Sequence, residues 1–272
     1  VEGPMFMLTL ILALLFCLII NSCFLAKAKI DKKVTTMYSF VCISKSSSKL
    51  IFCFVFNSDF ISLLRLLTEY SFFVILVFSG FSSSFRSKNF EKAFKLTTSR
   101  RLIKNAIKYA NKEVNNLSVK QEYLDMGTTL VLALVLKEKT IIANIGDSRL
   151  YRFDKEFGLT QLTVDQNYVQ YMIQIGKMTK EEAKNSNKKN VLLNALGVNP
   201  SVYYDEQIID NNYDALLLCS DGLYNMVSLE ELNKIMYLNI SVEEKVKKLI
   251  DTANRNGGFD NIGVSLMEVK QC

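Results

Sequence analysis

Residues 128–153 read TTLVLALVLKEKTIIANIGDSRLYRF. Three apolar runs rich in β-branched residues, Thr128 to Leu136, Thr140 to Ile145 and Ser148 to Phe153, are separated by Lys137-Glu138-Lys139 and by Gly146-Asp147. Such runs between charged or glycine-containing breaks predict strands, the first two joined as a hairpin. Upstream, Leu102, Ile103, Ala106, Ile107, Ala110 and Val114 recur at helical spacing with Lys and Asn between them, which predicts an amphipathic helix ending near Asn115–Asn116. Downstream, Ala215 to Cys219 is a short apolar strand that stops at Ser220-Asp221-Gly222. Thr179-Lys180-Glu181-Glu182, Ser228-Leu229-Glu230-Glu231 and Ser241-Val242-Glu243-Glu244 each place a hydroxyl three residues before a Glu, the capping-box spacing that opens a helix. Asn256-Gly257-Gly258 ends the last helix, and Ile262 to Val269 is a closing strand. Helix, antiparallel strands, helices and a final strand predict an α+β domain with sheet-rich layers.

Composition narrows the chemistry. The 272 residues include no His and no Trp. A Ser-His-Asp triad, a Cys-His nucleophile and His-ligated zinc are therefore excluded. Any metal or acid-base work must rest on carboxylates, thiols, Lys or Tyr. A hydrophobic fraction of 49% supports a sizeable core, and 22% charged residues argue against disorder.

The chain is divided. Residues 1–90 hold 14 of the 18 Phe and 4 of the 6 Cys, with 9 Lys and Arg against 4 Asp and Glu. Residues 91–272 carry 24 basic against 23 acidic side chains, so the net charge of +6 belongs almost entirely to the amino-terminal third. A nearly neutral folded part speaks against nucleic acid as a partner. Two cysteines after residue 90, Cys219 and Cys272, suit a reducing compartment without a disulfide framework.

Met5 to Ala26 is a 22-residue run without a charge, long enough to cross a bilayer, and Lys27, Lys29, Lys32 and Lys33 follow it. The positive-inside bias then puts the rest of the chain in the cytoplasm, anchored through residues 5–26. Tyr70 to Phe81 is too short to span and reads as a strand or a buried helix. Three segments are expected: 1–37, a membrane segment with its basic flank; 38–90, a hydrophobic region of weak periodicity, either part of the domain or foreign to it through a misread frame; and 91–272, the folded domain.

The candidate site is acidic. Asp147, Asp221 and Asp260 each lie beside a glycine at the end of an apolar strand: Ile145-Gly146-Asp147-Ser148-Arg149, Cys219-Ser220-Asp221-Gly222 and Gly257-Gly258-Phe259-Asp260-Asn261. Carboxylates gathered at strand ends repel one another unless a cation neutralises them, and oxygen donors without His or Cys suit Mg²⁺ or Mn²⁺. Each Asp taken alone is more often a turn-former or helix cap than a ligand. Together they stand in an ordered set of pieces: Gly127-Thr128-Thr129, Ala143 to Arg149, Leu162-Thr163-Val164-Asp165, Ala195-Leu196-Gly197, Leu218 to Leu223 and Gly258-Phe259-Asp260-Asn261-Ile262. This series resembles the metal-dependent protein phosphatase family (type 2C), bacterial branch, over roughly residues 91–270.

The resemblance implies an α-β-β-α sandwich of two antiparallel sheets flanked by helices, with its amino-terminal part incomplete here. It implies Mg²⁺- or Mn²⁺-dependent hydrolysis of phosphoserine and phosphothreonine in proteins, with two to three ions. Asp221 and Asp260 would hold the first ion, Asp147 and Asp221 a third. Asn261 would orient Asp260 from behind. Residues 167–194 match a mobile flap over the cleft. Phosphorylated proteins and a Ser/Thr protein kinase are the implied partners of a monomer.

The departures are as specific. The family's amino-terminal Arg beside an acidic pair, and the Asp-Gly whose carboxylate bridges two metals, are not found: Asp221-Gly222 is the chain's only Asp-Gly. Gln166 stands where relatives usually have His, and Asn194 where they often have Arg. Without the bridging ligand, metal affinity and turnover are expected to fall steeply. A catalytically incomplete phosphatase, or a membrane-tethered module that binds phosphoproteins, is therefore the alternative. Other residues read as structural: Tyr203 and Tyr204 as sheet residues, Cys219 as core, Lys184, Lys188 and Lys189 as solvated surface, and Arg149 as a brace at its strand end.

Overall fold

The computed structural model describes residues 35–36, 38–44, 50–58, 70–78, 96–118, 127–136 and 138–270, with backbone alone in the stretches before residue 96. The proposed membrane segment at 5–26 lies outside the described residues. Among the described residues no helix is long and apolar enough to cross a membrane.

Two sheets form the centre. One has six strands in the order β1 (Thr35–Thr36), β3 (Leu50–Ser58), β4 (Tyr70–Phe78), β5 (Thr128–Val135), β6 (Lys139–Ile145) and β9 (Asp205–Asp210). The other has five: β2 (Tyr38–Ser44), β11 (Val264–Lys270), β10 (Ala215–Cys219), β7 (Arg149–Asp154) and β8 (Gly158–Gln161). Neighbours are antiparallel except for one parallel pair in each sheet, β4 with β5 and β2 with β11. The run at 70–81 is thus a strand over 70–78 rather than a helix.

Side-chain alternation along β5 explains the layering. Val131, Ala133 and Val135 pack with Ile142 against Leu150, Leu216, Leu218 and Met267 of the other sheet, closing the sandwich core. Leu130, Leu132 and Leu134 face the opposite way and meet Ile103 and Ile107 of α1 (Leu96–Ser118). Both faces of β5 are covered, which is why all eight of its residues are buried. On the far side, Tyr151, Leu217, Cys219, Val264 and Leu266 pack against Leu232 and Met236 of α5 (Leu229–Met236) and Val246, Leu249 and Ile250 of α6 (Val242–Arg255). The result is the expected order of helix, sheet, sheet, helix.

The predicted local signals fold as read. Capping boxes form at Thr179, Ser228 and Ser241, opening α3 (Lys180–Lys184), α5 and α6. The first helix runs to Ser118, slightly past the expected end, because Ser118 and Asn115 donate to the Gly197 carbonyl and keep its last turn docked. Tyr203 and Tyr204 are a correction: they precede β9 instead of lying in it. Tyr204 packs beneath the sheet while Tyr203 stays exposed. Four elements carried no clear sequence signal: β8, the polar edge strand β9, and the helices α2 (Tyr168–Gln174) and α4 (Asp221–Tyr224) that flank the site.

Candidate functional site

The six sequence pieces meet in pairs. Thr128 and Leu196 exchange backbone hydrogen bonds of 3.0 and 2.8 Å. Thr129 Oγ1 and Ser148 Oγ are 2.8 Å apart, beneath the Gly146-Asp147 turn. Gly146 has φ +92° and backs directly onto the Thr129 side chain, so both conformation and space require glycine there. The Ser220 N–H donates to the Gly263 carbonyl at 3.0 Å, and the Gly263 N–H returns a bond to Ser220 Oγ at 2.8 Å. Gly222 lies against the Asn261 carbonyl so closely that a methyl group could not be placed there. These contacts tie the end of β10 to the approach to β11, and β5 to the turn between β6 and β7.

Asp221 opens α4 and lies in the field of both other aspartates. Burial first, then the charges of Asp147 and Asp260, push its carboxyl up to about 7, while the Gly222 N–H at 3.0 Å partly opposes this. Asp147 is pushed up to about 6, chiefly by burial and then by Asp165, with Arg149 and a hydrogen bond from Asn167 working against the rise. Asp260 is exposed, with the Asn261 N–H donating to its Oδ1 at 2.7 Å. The contact from Asn261 to Asp260 is therefore a main-chain one.

All three are oxygen donors, and the mutual repulsion around Asp221 is of the kind a dication relieves. Among the described residues no three His, Cys, Asp or Glu side chains are placed to hold one ion. Hard cations such as Mg²⁺ commonly take one or two carboxylates and complete their shell with water, so this donor set fits their chemistry.

Residues around the aspartates lock the scaffold. Arg149 forks onto Asp165 at 2.7 and 3.0 Å, an ion pair that keeps the guanidinium charged and fixed. It braces the start of β7, as expected, instead of facing outward. Gln166 is a hub that sequence reasoning noted only as a departure. Its Oε1 accepts from the Gly146 N–H at 2.8 Å and from Asn194 Nδ2 at 2.7 Å, and its Nε2 donates to Asp205 Oδ2 at 2.7 Å. The two departures from the family pattern, Gln166 and Asn194, thus bond to each other. Cys219 is fully buried with its thiol pushed up to about 12, an inert core residue.

The stretch expected as a flap, residues 167–194, starts from this hub. Its base is clasped where the Tyr168 N–H donates to Val191 and the Leu193 N–H to Gln166, at 2.8 and 2.9 Å. It carries α2 and α3, and its lysines Lys184, Lys188 and Lys189 are exposed.

Comparison with known proteins agrees with this architecture. The family described as Protein phosphatase 2C matches residues 71–260. A serine/threonine phosphatase stp of Listeria monocytogenes is 41% identical over 168 residues, 61% of this chain and 66% of the relative, so the match spans just under two thirds of that protein. Among solved structures, the serine/threonine phosphatase Stp1 from Staphylococcus aureus superposes with a TM-score of 0.62 at 31% identity, covering 65% of this chain and 70% of that one. The catalytic domain of the serine threonine protein phosphatase PstP, in complex with two manganese ions, gives 0.55 at 30% identity over 62% and 71%. On the family match and the shared fold together, the chain belongs to the Protein phosphatase 2C family.

Proposed function

We propose that the chain is a protein serine/threonine phosphatase whose Asp147, Asp221 and Asp260 hold Mn²⁺ or Mg²⁺. The observation that supports this most is that half-buried Asp221 feels the charges of both buried Asp147 and exposed Asp260, so aspartates from three separate strand ends share one electrostatic field. Divalent cations held there would activate water and neutralise phosphoryl charge, the chemistry that phosphate-ester hydrolysis needs. The chain's own residues prepare the place: Gly146 and Gly222 allow the strand ends to close up, and Ser220 clasps the Asp260 loop. Asp165 holds Arg149 away from the role of a phosphate ligand.

Phosphoserine and phosphothreonine proteins are the substrates this reading implies, with a Ser/Thr protein kinase as the source of the modification. The reading places the domain in the cytoplasm as a monomer, with residues 5–26 as a membrane anchor. A second reading has its own support. With one Asp-Gly in the chain and no three ligands converging among the described residues, the protein is instead a catalytically incomplete member that binds phosphoproteins.

One experiment separates the two. The purified whole chain is assayed with Mn²⁺ on p-nitrophenyl phosphate and on a phosphothreonine peptide, beside Asp221→Ala. Metal-dependent turnover that the substitution removes supports the enzyme. Turnover no higher than the variant's, with retained binding of the phosphopeptide, supports the incomplete member.

A further inference from the structure

Tyr224 closes the single turn of α4 that Asp221 opens, and its side chain reaches across to the β6–β7 turn. Its hydroxyl donates to the Asp147 backbone carbonyl at 3.0 Å. The same ring lies under the Arg149 guanidinium, whose carbon is 3.5 Å from the ring centroid. Arg149 is in turn pinned by Asp165, and its Nη1 also donates to the Tyr151 hydroxyl at 3.3 Å. One side chain therefore touches the residues on both sides of Ser148 while standing on the same helical turn as Asp221.

We infer that Tyr224 is a positioning residue: it fixes the Asp147 turn against the Asp221 turn and so sets the spacing between the two carboxylates. The inference rests on the reading of those aspartates as cation ligands. Three features make the tether rigid. Four residues of helix leave no slack between Asp221 and Tyr224. A cation held over an aromatic face resists tilting of the ring. Ser220, whose hydroxyl donates to the Asn261 carbonyl and accepts from the Gly263 N–H, holds the start of α4 in place. Without the hydroxyl, the Asp147 carbonyl loses its donor from α4.

Tyr224→Phe removes one hydroxyl and leaves the ring under Arg149. Tyr237→Phe is its control, because Tyr237 also donates to a backbone carbonyl, that of Lys155 at 3.1 Å, on the far side of α5. Two readouts are taken on the whole chain: amide hydrogen exchange of the metal-free protein, and Mn²⁺ binding followed by the paramagnetic resonance of free Mn²⁺. For Tyr224→Phe we expect exchange across residues 146–149 to accelerate roughly tenfold, the equivalent of one lost hydrogen bond, with the rest of the domain unchanged. Mn²⁺ affinity should weaken by a similar factor, and Tyr237→Phe should leave both unchanged. Unaltered exchange at 146–149 in Tyr224→Phe overturns the tether. Faster exchange with unaltered Mn²⁺ affinity overturns its bearing on the carboxylate spacing. If the unsubstituted chain takes up no Mn²⁺, the cation reading fails by itself, and the exchange measurement still decides whether Tyr224 holds the turn.

Discussion

At Asp221 two demands oppose each other. The strand end has to be enclosed for Asp221 to share a field with Asp147, and that enclosure disfavours the charge of both. In the metal-free protein Asp221 and Asp147 keep their protons up to about 7 and about 6, whereas in the unfolded chain a carboxyl releases its proton near pH 4. Between those limits the folded state binds more protons than the unfolded one, so these groups make the fold less stable as pH rises from about 4 to about 7. Thermal melts in EDTA should therefore show a larger drop in midpoint from about pH 5 to about pH 7.5 for the unsubstituted chain than for Asp147→Asn/Asp221→Asn. An equal drop would show that the burial does not matter. Gly222 makes a second case. A methyl group there meets the Asn261 carbonyl, and Gly222→Ala should cost about 1–3 kcal/mol in urea unfolding as the Asp260 loop is forced outward. The aspartates were legible in the sequence because each is flagged by a neighbouring glycine and an apolar run. The Gln166, Asn194 and Asp205 network was not, since hydrogen bonds between residues far apart in the chain leave no local pattern.

Among the elements, those with a self-contained signal were the readable ones. A capping box is such a signal, because the hydroxyl and the glutamate that satisfy the helix start stand three residues apart. The three boxes do unequal work. Ser241 opens a fourteen-residue helix whose Val246, Leu249 and Ile250 are buried on the sheet, while Thr179 opens a five-residue helix on the flap with only Ala183 buried. Ser241→Ala is expected to lower global stability by about 1 kcal/mol in urea unfolding. Thr179→Ala should leave the global midpoint in place and accelerate exchange only within the flap. Equal effects on the midpoint would mean that the flap unfolds together with the core. The strands β8 and β9 escaped for the opposite reason: GLTQ and DEQIID hold few apolar residues, and they are strands because β7 and β6 offer them a free edge.

For the whole molecule the deciding fact is that β5 lies inside its sheet. The alternation along residues 130–135 sends Leu130, Leu132 and Leu134 to α1 and Val131, Ala133 and Val135 to the second sheet. Its backbone needs partners on both edges, β6 on one and β4 on the other. β11 is held in the same way between β10 and β2. A change of composition near residue 90 is plain in the sequence, yet the backbone pairing crosses it, because strand pairing is a long-range choice that composition does not report. Removal of residues 1–90 would turn the LVLALV segment of β5 into a bare apolar edge, the arrangement that invites strand addition from another molecule. A truncated protein starting at residue 91 is therefore expected to form β-rich aggregates, scored by light scattering and thioflavin fluorescence, under conditions where the whole chain remains dispersed in mild detergent. A truncated protein that stays monomeric, with an intact cooperative melt, would show that β4 and β2 are dispensable and that the domain closes its sheets without the first ninety residues.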